Sequence, residues 1–197
     1  MNRDEIRRAW DELSERYAET RDPTGSDADL IDDLLEELPD DPSVLDIGCG
    51  DGARTLANLP DGAVGVDISR EALRLASKTV PENALVQADM SRLPFRDGSF
   101  DGLTAYHAVF HVPRDEHPAV YDEFARVLSP GGVLLMTVPE GRYETVRRGW
   151  LGGRMFFSSP GAEATLDALE EAGFGETRRA TVDDPLGATA EFVFARK

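Results

Sequence analysis

The chain has 197 residues, 41% of them hydrophobic and 30% charged, a length and composition for one folded domain and not for a disordered segment. Its 38 acidic against 21 basic residues leave a net charge of −17, so nucleic acid and anionic membranes are poor bulk partners. A single cysteine excludes an intramolecular disulfide, and there is neither a run of about 18 apolar residues nor an apolar leader at the N-terminus, which together point to a cytoplasmic protein. The basic residues are almost all arginine, with lysine only at Lys78 and Lys197. An acid-rich, lysine-poor composition of this kind resembles proteins adapted to high salt, where screening relieves self-repulsion.

The elements follow in chain order. Ile6, Trp10, Leu13 and Tyr17 share one face of a helix predicted over Arg3 to Thr20. Pro23 and Gly25 break it, and Ser26 is placed to cap a second helix running to Leu38. Short apolar strands are then predicted at Val44 to Asp46, Ala63 to Val66, Ala84 to Gln87 and Phe100 to Ala105, with a helix over Ser69 to Lys78. A helix from Glu116 to Leu128 ends at Ser129-Pro130-Gly131-Gly132, and Val133 to Val138 reads as a strand buried on both faces. A helix over Pro160 to Ala172 and two closing strands, Thr177 to Val182 and Ala190 to Ala195 around a turn at Asp183 to Gly187, complete the chain. Strand–helix alternation with short connections predicts an α/β, doubly wound, mostly parallel sheet, in which a ligand sits beyond the carboxyl ends of the strands. Asp46, Asp67 and Asp89 all fall at such ends, 21 and then 22 residues apart.

The first of these ends leads into the glycine-rich turn Asp46-Ile47-Gly48-Cys49-Gly50-Asp51-Gly52, followed by a helix start with unsatisfied N–H groups. Gly48, Gly50 and Ala53 match the dinucleotide pattern G-x-G-x-x-G/A, and Asp67 lies at the distance of a ribose ligand. Asp46, two residues before the first glycine, argues against a pyrophosphate there and for a ligand carrying an ammonium group. Asp89 adds an acceptor suited to an exocyclic adenine amine.

The successive segments VLDIGCGDG, GVDIS, ADMSRLPFRDGSFD and LSPGGVLLMTV resemble the ordered motifs of class I S-adenosylmethionine-dependent methyltransferases, in particular the small-molecule branch with a type 11 or type 25 methyltransferase domain. The resemblance covers about Trp10 to Phe174. It implies a seven-stranded sheet of order 3-2-1-4-5-7-6 with the seventh strand antiparallel, and S-adenosyl-L-methionine as cofactor. It implies that Gly48, Cys49 and Gly50 border the methionine part of the cofactor and that Asp46 lies near its ammonium group. Asp67 would take the ribose hydroxyls, Ile68 and Met90 would pack on the adenine, Asp89 would accept from its amine, and Tyr17 would close over the methionine end. Cys49 is otherwise a small packing residue with no cation or base nearby in sequence to activate it.

Thr104 to Val112 is expected to face the reacting methyl group, with Tyr106 and His107 as catalytic candidates on the acceptor side. Tyr106 would also touch the cofactor. His111 matches a position that in the family is often structural, and it is retained as a substrate-side candidate; it would share a face with His107 if the segment is helical. The segment lacks the N/D-P-P-Y/F motif of members that methylate nucleic acid or protein amides, so the expected acceptor is a small molecule. No cysteine and histidine spacing suits a metal.

Residues 139–160 form the most individual stretch, with Arg142, Arg147, Arg148 and Arg154 against Glu140 and Glu144. Its glycines suggest a mobile lid over the acceptor, with Arg154 holding a substrate carboxylate; the plainer alternative is a helix with solvated arginines. The chain is thus divided into N-terminal helices (1–40), a cofactor core (41–138), the lid insert (139–160) and a closing helix with strands (161–197), all in one domain. Two other functions would use the same residues. A nicotinamide oxidoreductase would need a substrate domain and a Tyr–Lys dyad, whereas Tyr143 is followed by Arg147. A non-catalytic cofactor-binding partner of another methyltransferase would retain the same cofactor motifs.

Overall fold

In the computed structural model, which describes residues 1–21, 25, 28–183 and 189–197, the short apolar runs build a parallel sheet. Its strands are β1 (Val44–Ile47), β2 (Val64–Asp67), β3 (Ala84–Gln87), β4 (Phe100–Ala105) and β5 (Leu128–Thr137). Helix α3 (Arg70–Thr79) connects β2 to β3, and α4 (His117–Val127) connects β4 to β5. A separate hairpin of β6 (Arg142–Trp150) and β7 (Gly153–Pro160) follows. Then α5 (Ala162–Glu171) leads to β8 (Glu176–Asp183) and β9 (Thr189–Arg196), and β9 inserts antiparallel between β5 and β8. The sheet order is β3-β2-β1-β4-β5-β9-β8. With the hairpin set aside, this is the order 3-2-1-4-5-7-6 with an antiparallel seventh strand, a Rossmann-like methyltransferase fold.

Strand alternation divides the core. Leu134 and Met136 of β5, with Val193 and Ala195 of β9, pack under Val120, Tyr121 and Phe124 of α4 and Leu169 of α5. Their neighbours Val133, Leu135, Phe192 and Phe194 face the other way, under Leu30, Ile31 and Leu34 of α2 (Asp29–Glu36). Each fully buried aliphatic or aromatic side chain contributes about 1.5–3 kcal/mol to this two-sided packing. The expected Ser26 cap and residues 184–187 of the expected closing turn lie outside the described residues.

Helix α1 (Arg3–Thr20) starts in a capping box, in which the Asn2 side chain accepts from the Glu5 N–H and the Glu5 carboxylate accepts from the Asn2 N–H. Its buried face, Ala9 and Leu13, packs on Met155 and Phe157 of β7.

Three expectations change. β5 already begins at Leu128, which pairs with Phe100, and Ser129 to Gly132 bulge out before the ladder with β4 resumes at Gly102 and Val133. After the glycine turn there is no α-helix but a short 3₁₀ turn at Leu56–Asn58, because Pro60 follows too soon for an α-helix to propagate. The insert is a β-hairpin and not a helix. Leu151 (φ 47°) and Gly152 (φ 78°) supply the two left-handed residues of a two-residue hairpin turn, so the glycines there serve strand reversal. Trp150 of the hairpin meets Trp10 (ring centroids 5.7 Å) and Tyr17 (5.9 Å) of α1. Its base is tied down where Ser158 donates to the Val112 carbonyl (2.5 Å) beside the buried His117.

Candidate active site

Beyond the carboxyl ends of β1, β2 and β4, a cavity of about 950 Å³ including its mouth lies beneath α1. One wall is the glycine turn. Gly48 (φ 72°) approaches so closely that an added Cβ would stand 2.5 Å from the Ala108 Cβ. The Gly48 and Cys49 N–H groups both donate to the Val66 carbonyl (2.7 and 3.0 Å), folding the turn onto β2.

The acids at the strand ends lie in this wall or, for Asp46, buried behind it. Asp67 accepts from the Gly50 N–H (2.9 Å) on one oxygen and from the Ser69 N–H (2.8 Å) on the other. Asp46 is buried and accepts from the hydroxyls of Thr104 (2.8 Å) and Thr55. Burial pushes both carboxyls up to about 6, against these hydrogen bonds. The cavity wall thus holds the Asp67 carboxylate, with Asp46 buried behind it on the Thr55 hydroxyl, an acidic setting suited to a cation or to hydroxyl donors.

Asp89 stands farther along the same wall. Its carboxylate accepts from the Ser91 N–H (2.9 Å) and hydroxyl (2.8 Å) and is paired with the Arg3 guanidinium, whose Nε lies 2.8 Å from Oδ2. Burial pushes its pKa upward, but the Ser91 bonds and Arg3 outweigh this and hold it below the ordinary carboxylate value. Ile68 and Met90 line the apolar stretch between Asp67 and Asp89, and Ile6, Trp10 and Tyr17 of α1 roof the cavity. Burial raises the Cys49 thiol well above its ordinary value, so it stays protonated and lines the wall as a small apolar group.

At the other end stand Tyr106, His107 and His111. They are not on one helix face, because His107 is left-handed (φ 52°) and only Val109–His111 form a 3₁₀ turn. The strained His107 backbone is held by its N–H donating to Thr137 Oγ1 (2.9 Å). Burial, and then the charges of Arg21 and Arg54, depress the His107 imidazole to about 3, so it is neutral and weakly basic. Burial likewise depresses His111 to about 4. Its Nδ1 lies 2.8 Å from the Phe156 carbonyl, which can only accept, so Nδ1 carries the proton and holds α1 and the hairpin together. Tyr106 packs on Phe192 (4.7 Å) with one edge on the cavity.

Arg154 is not in the cavity. It lies exposed on β7, directly across from Arg148, because strand alternation turns it away from the buried Met155. The cavity's cations are instead Arg3, Arg21 and Arg54. The i, i+4 spacing of Tyr17 and Arg21 carried a local signal for one of them. Arg54 lies two residues beyond the glycine turn with no local pattern to mark it, and Arg3 lies 86 residues from its partner. Among the described residues no group of three or more His, Cys, Asp or Glu side chains is placed to hold a metal ion, and no helix is long and apolar enough to cross a membrane.

The donor set fits S-adenosylmethionine: acids toward the ammonium and sulfonium charges and the ribose, apolar side chains for a planar base, and glycines that admit a ligand against the backbone. The comparisons agree. A family model described as a methyltransferase domain matches residues 45–136. A demethylmenaquinone methyltransferase from Beutenbergia cavernae is 31% identical over 195 residues, covering 92% of this chain and 78% of the relative. A tRNA (carboxymethyluridine(34)-5-O)-methyltransferase from Arabidopsis thaliana is 28% identical over 134 residues, covering 68% of this chain but 32% of the relative. The chain spans only 26% to 50% of the length of other curated relatives it matches. A crystal structure of a SAM-dependent methyltransferase from Methanosarcina mazei superimposes with a TM-score of 0.71 at 25% identity, covering 83% of this chain and 96% of that one. The chain belongs to the class I S-adenosylmethionine-dependent methyltransferases.

Proposed function

We propose that this chain binds S-adenosylmethionine in the cavity beneath α1 and methylates a small-molecule acceptor that enters at the His107 end. The observation that carries this is Asp67, a carboxylate raised to about 6 by burial in the wall of a cavity of about 950 Å³, with Asp46, raised likewise, buried behind Thr55 of that wall. Such groups cost the fold free energy unless a complementary ligand offsets it.

When bound, S-adenosylmethionine supplies a methyl group on a cationic sulfur, a leaving group that needs no acid. The protein's work is therefore binding, alignment and exclusion of water. Asp46 offers negative charge to the ammonium end, and Asp67 receives the ribose hydroxyls while Gly50 and Ser69 hold its orientation. Ile68 and Met90 pack on the adenine, and Asp89 accepts from its amine beside Arg3. Trp10 and Tyr17, braced by Trp150, roof the cavity against water. His107, neutral and weakly basic, is a poor proton sink and serves as a hydrogen-bond acceptor that orients the incoming molecule. Tyr106 offers an aromatic edge beside it.

A small acceptor is favoured over a polynucleotide, although one relative's name includes tRNA. The net charge of −17 repels phosphate backbones, and His107 is only partly exposed, on the wall of a cavity. The lysine-poor acidity supports function in concentrated salt.

The test is calorimetric titration, in high salt, with S-adenosylmethionine, S-adenosylhomocysteine and NADH. Saturable binding of the first two, lost in Asp67→Ala, is expected. Binding of NADH alone would overturn the proposal. Cofactor binding without turnover on any small acceptor, together with stoichiometric association with a second methyltransferase, would replace it with a non-catalytic partner role.

A further inference from the structure

We infer that the tip of the β6–β7 hairpin docks on the headgroup layer of an anionic lipid bilayer, with Arg16, Arg147, Arg148 and Arg154 on the lipid phosphates and Trp150 and Leu151 at the interface between them. The hairpin alone carries this inference, whatever the cavity binds.

Arg74, Arg126 and Arg179 show how this acid-rich surface neutralises an arginine, each forming ion pairs with two or more carboxylates. The hairpin departs from that pattern. Arg147, Arg148 and Arg154 are exposed and, among the described residues, none of them pairs with a carboxylate, in a chain with 38 acids. Arg148 stands directly across the ladder from Arg154, an arrangement of like charges that costs the hairpin stability. Arg147 lies on the other face, its guanidinium 4.7 Å from the centroid of the Phe157 ring. The exposed Arg16 of α1 reaches the turn, since a Cβ built on Gly152 would stand 2.6 Å from its Nη1. Positive charge thus flanks the tip on both faces. The hairpin's only acid, Glu144, lies toward its base, opposite Ser158.

The turn between these charges is apolar. Asparagine or aspartate is the usual first residue of such a turn, because that position is left-handed. Here it is Leu151 (φ 47°), which strains the backbone and, with Trp150, stays partly exposed. A soluble anion would need the arginines and leave the apolar pair without use. A bilayer interface takes both, tryptophan at the level of the headgroups and arginines on the phosphates. The net charge of −17 opposes the approach only at a distance. Salt screens that repulsion over about 8 Å at physiological strength and about 3 Å at 1 M, whereas guanidinium–phosphate contacts form at hydrogen-bond distance. Trp150 also meets Trp10 (5.7 Å) and Tyr17 (5.9 Å) of the cavity roof, so a docked tip bears directly on α1.

The test uses the whole protein with unilamellar vesicles of phosphatidylglycerol or of phosphatidylcholine, in the lowest salt that keeps it folded. Sedimentation with phosphatidylglycerol vesicles, at least about tenfold tighter than with phosphatidylcholine, is expected. Trp10 and Trp150 are the chain's only tryptophans, so a blue shift of the emission on binding reports the hairpin and its neighbour. Arg148→Ser together with Arg154→Ser should weaken phosphatidylglycerol binding about tenfold or more, and leave Tm unchanged or higher because the like-charge pair is gone. Leu151→Asn should raise Tm and weaken the same binding, opposite signs that a purely structural turn would not show. Equal binding to both vesicles, binding to neither, or variants that bind phosphatidylglycerol as the unaltered protein does would overturn the proposal. So would tighter binding of polyglutamate or of a DNA duplex than of phosphatidylglycerol vesicles, which would assign the arginines to an acidic protein or to nucleic acid.

Discussion

Arg3 and Asp89, 86 residues apart in the chain, form an ion pair that ties the first turn of α1 to the segment just beyond β3. The carboxylate assigned to the adenine amine is thus already engaged, and a bound base must share it with Arg3. The same helix is held farther along where the Ser69 hydroxyl donates to Asp11 (2.9 Å). The roof of the cavity is thus fastened near Asp89 and near Ser69.

Arg3→Met keeps an apolar stem and removes the charge. The pair is partly solvated, so its loss costs about 0.5–1 kcal/mol, a fall in Tm of about 1–4 °C. The dissociation rate of S-adenosylhomocysteine should rise severalfold, because α1 loses its fastening at the adenine end. Stopped-flow fluorescence checks this, and an unchanged rate would show that α1 does not gate release.

Asp46→Asn and Asp67→Asn should move stability and binding in opposite directions. Both carboxyls are raised from 3.8 to about 6, chiefly by burial. The folded state therefore holds these protons more tightly than the unfolded state, and stability falls as pH rises from about 4 to about 6. Above that window each charge costs the ligand-free fold about 1–3 kcal/mol. At pH 8 the amides should stabilise the free protein by about that amount and weaken S-adenosylhomocysteine about tenfold or more. In the unaltered protein the same affinity should decline as pH drops below about 6. Urea unfolding and calorimetry across pH 5–8 measure both effects.

Gly48 and Gly50 both adopt left-handed backbone but differ in surroundings. An added Cβ at Gly48 meets Ala108 at 2.5 Å, whereas at Gly50 (φ 57°) nothing lies within 4 Å. Gly50→Ala should cost about 1–2 kcal/mol of backbone strain. Gly48→Ala adds overpacking of about 1–3 kcal/mol and displaces the segment that carries His107. Denaturant midpoints decide the order, and equal losses would contradict the close approach.

His107 and His111, depressed to about 3 and about 4 mainly by burial, should give neutral imidazole signals in NMR from pH 8 down to pH 5. The sign is opposite to that of the carboxylates. Stability from these imidazoles is fully present above the unfolded pKa of about 6.5 and is lost as pH falls toward the folded values. A His107 signal titrating near 6.5 would restore that residue as a general base.

The acidic strand ends were legible because each is local to its own strand. A residue at the end of a short apolar run, beside glycine or serine, has its backbone donors within a few residues, as Ser69 and Gly50 serve Asp67 once β1 and β2 pair. Arg154 misled because composition records charge but not facing. The register that pairs it with Arg148 and buries Met155 follows from a turn at Leu151-Gly152 that forms only when two strands meet.

The strand–helix alternation of the parallel core, the glycine turn and the three aspartates at strand ends were determined by the sequence itself, since apolar period and turn residues act over short separations, and the seventh strand came from the family resemblance of the motifs. Which cations meet in the cavity was decided only by the tertiary structure. Arg3, Arg21 and Arg54 come from a helix start, a helix end and a loop, and no local pattern brings them together. Their convergence depends on where α1 docks, and that is set by Leu13 and Trp10 packing on a hairpin more than a hundred residues away. Burial then sets the protonation of Asp46, Asp67 and His107, because desolvation is a property of the packed molecule and not of the residue.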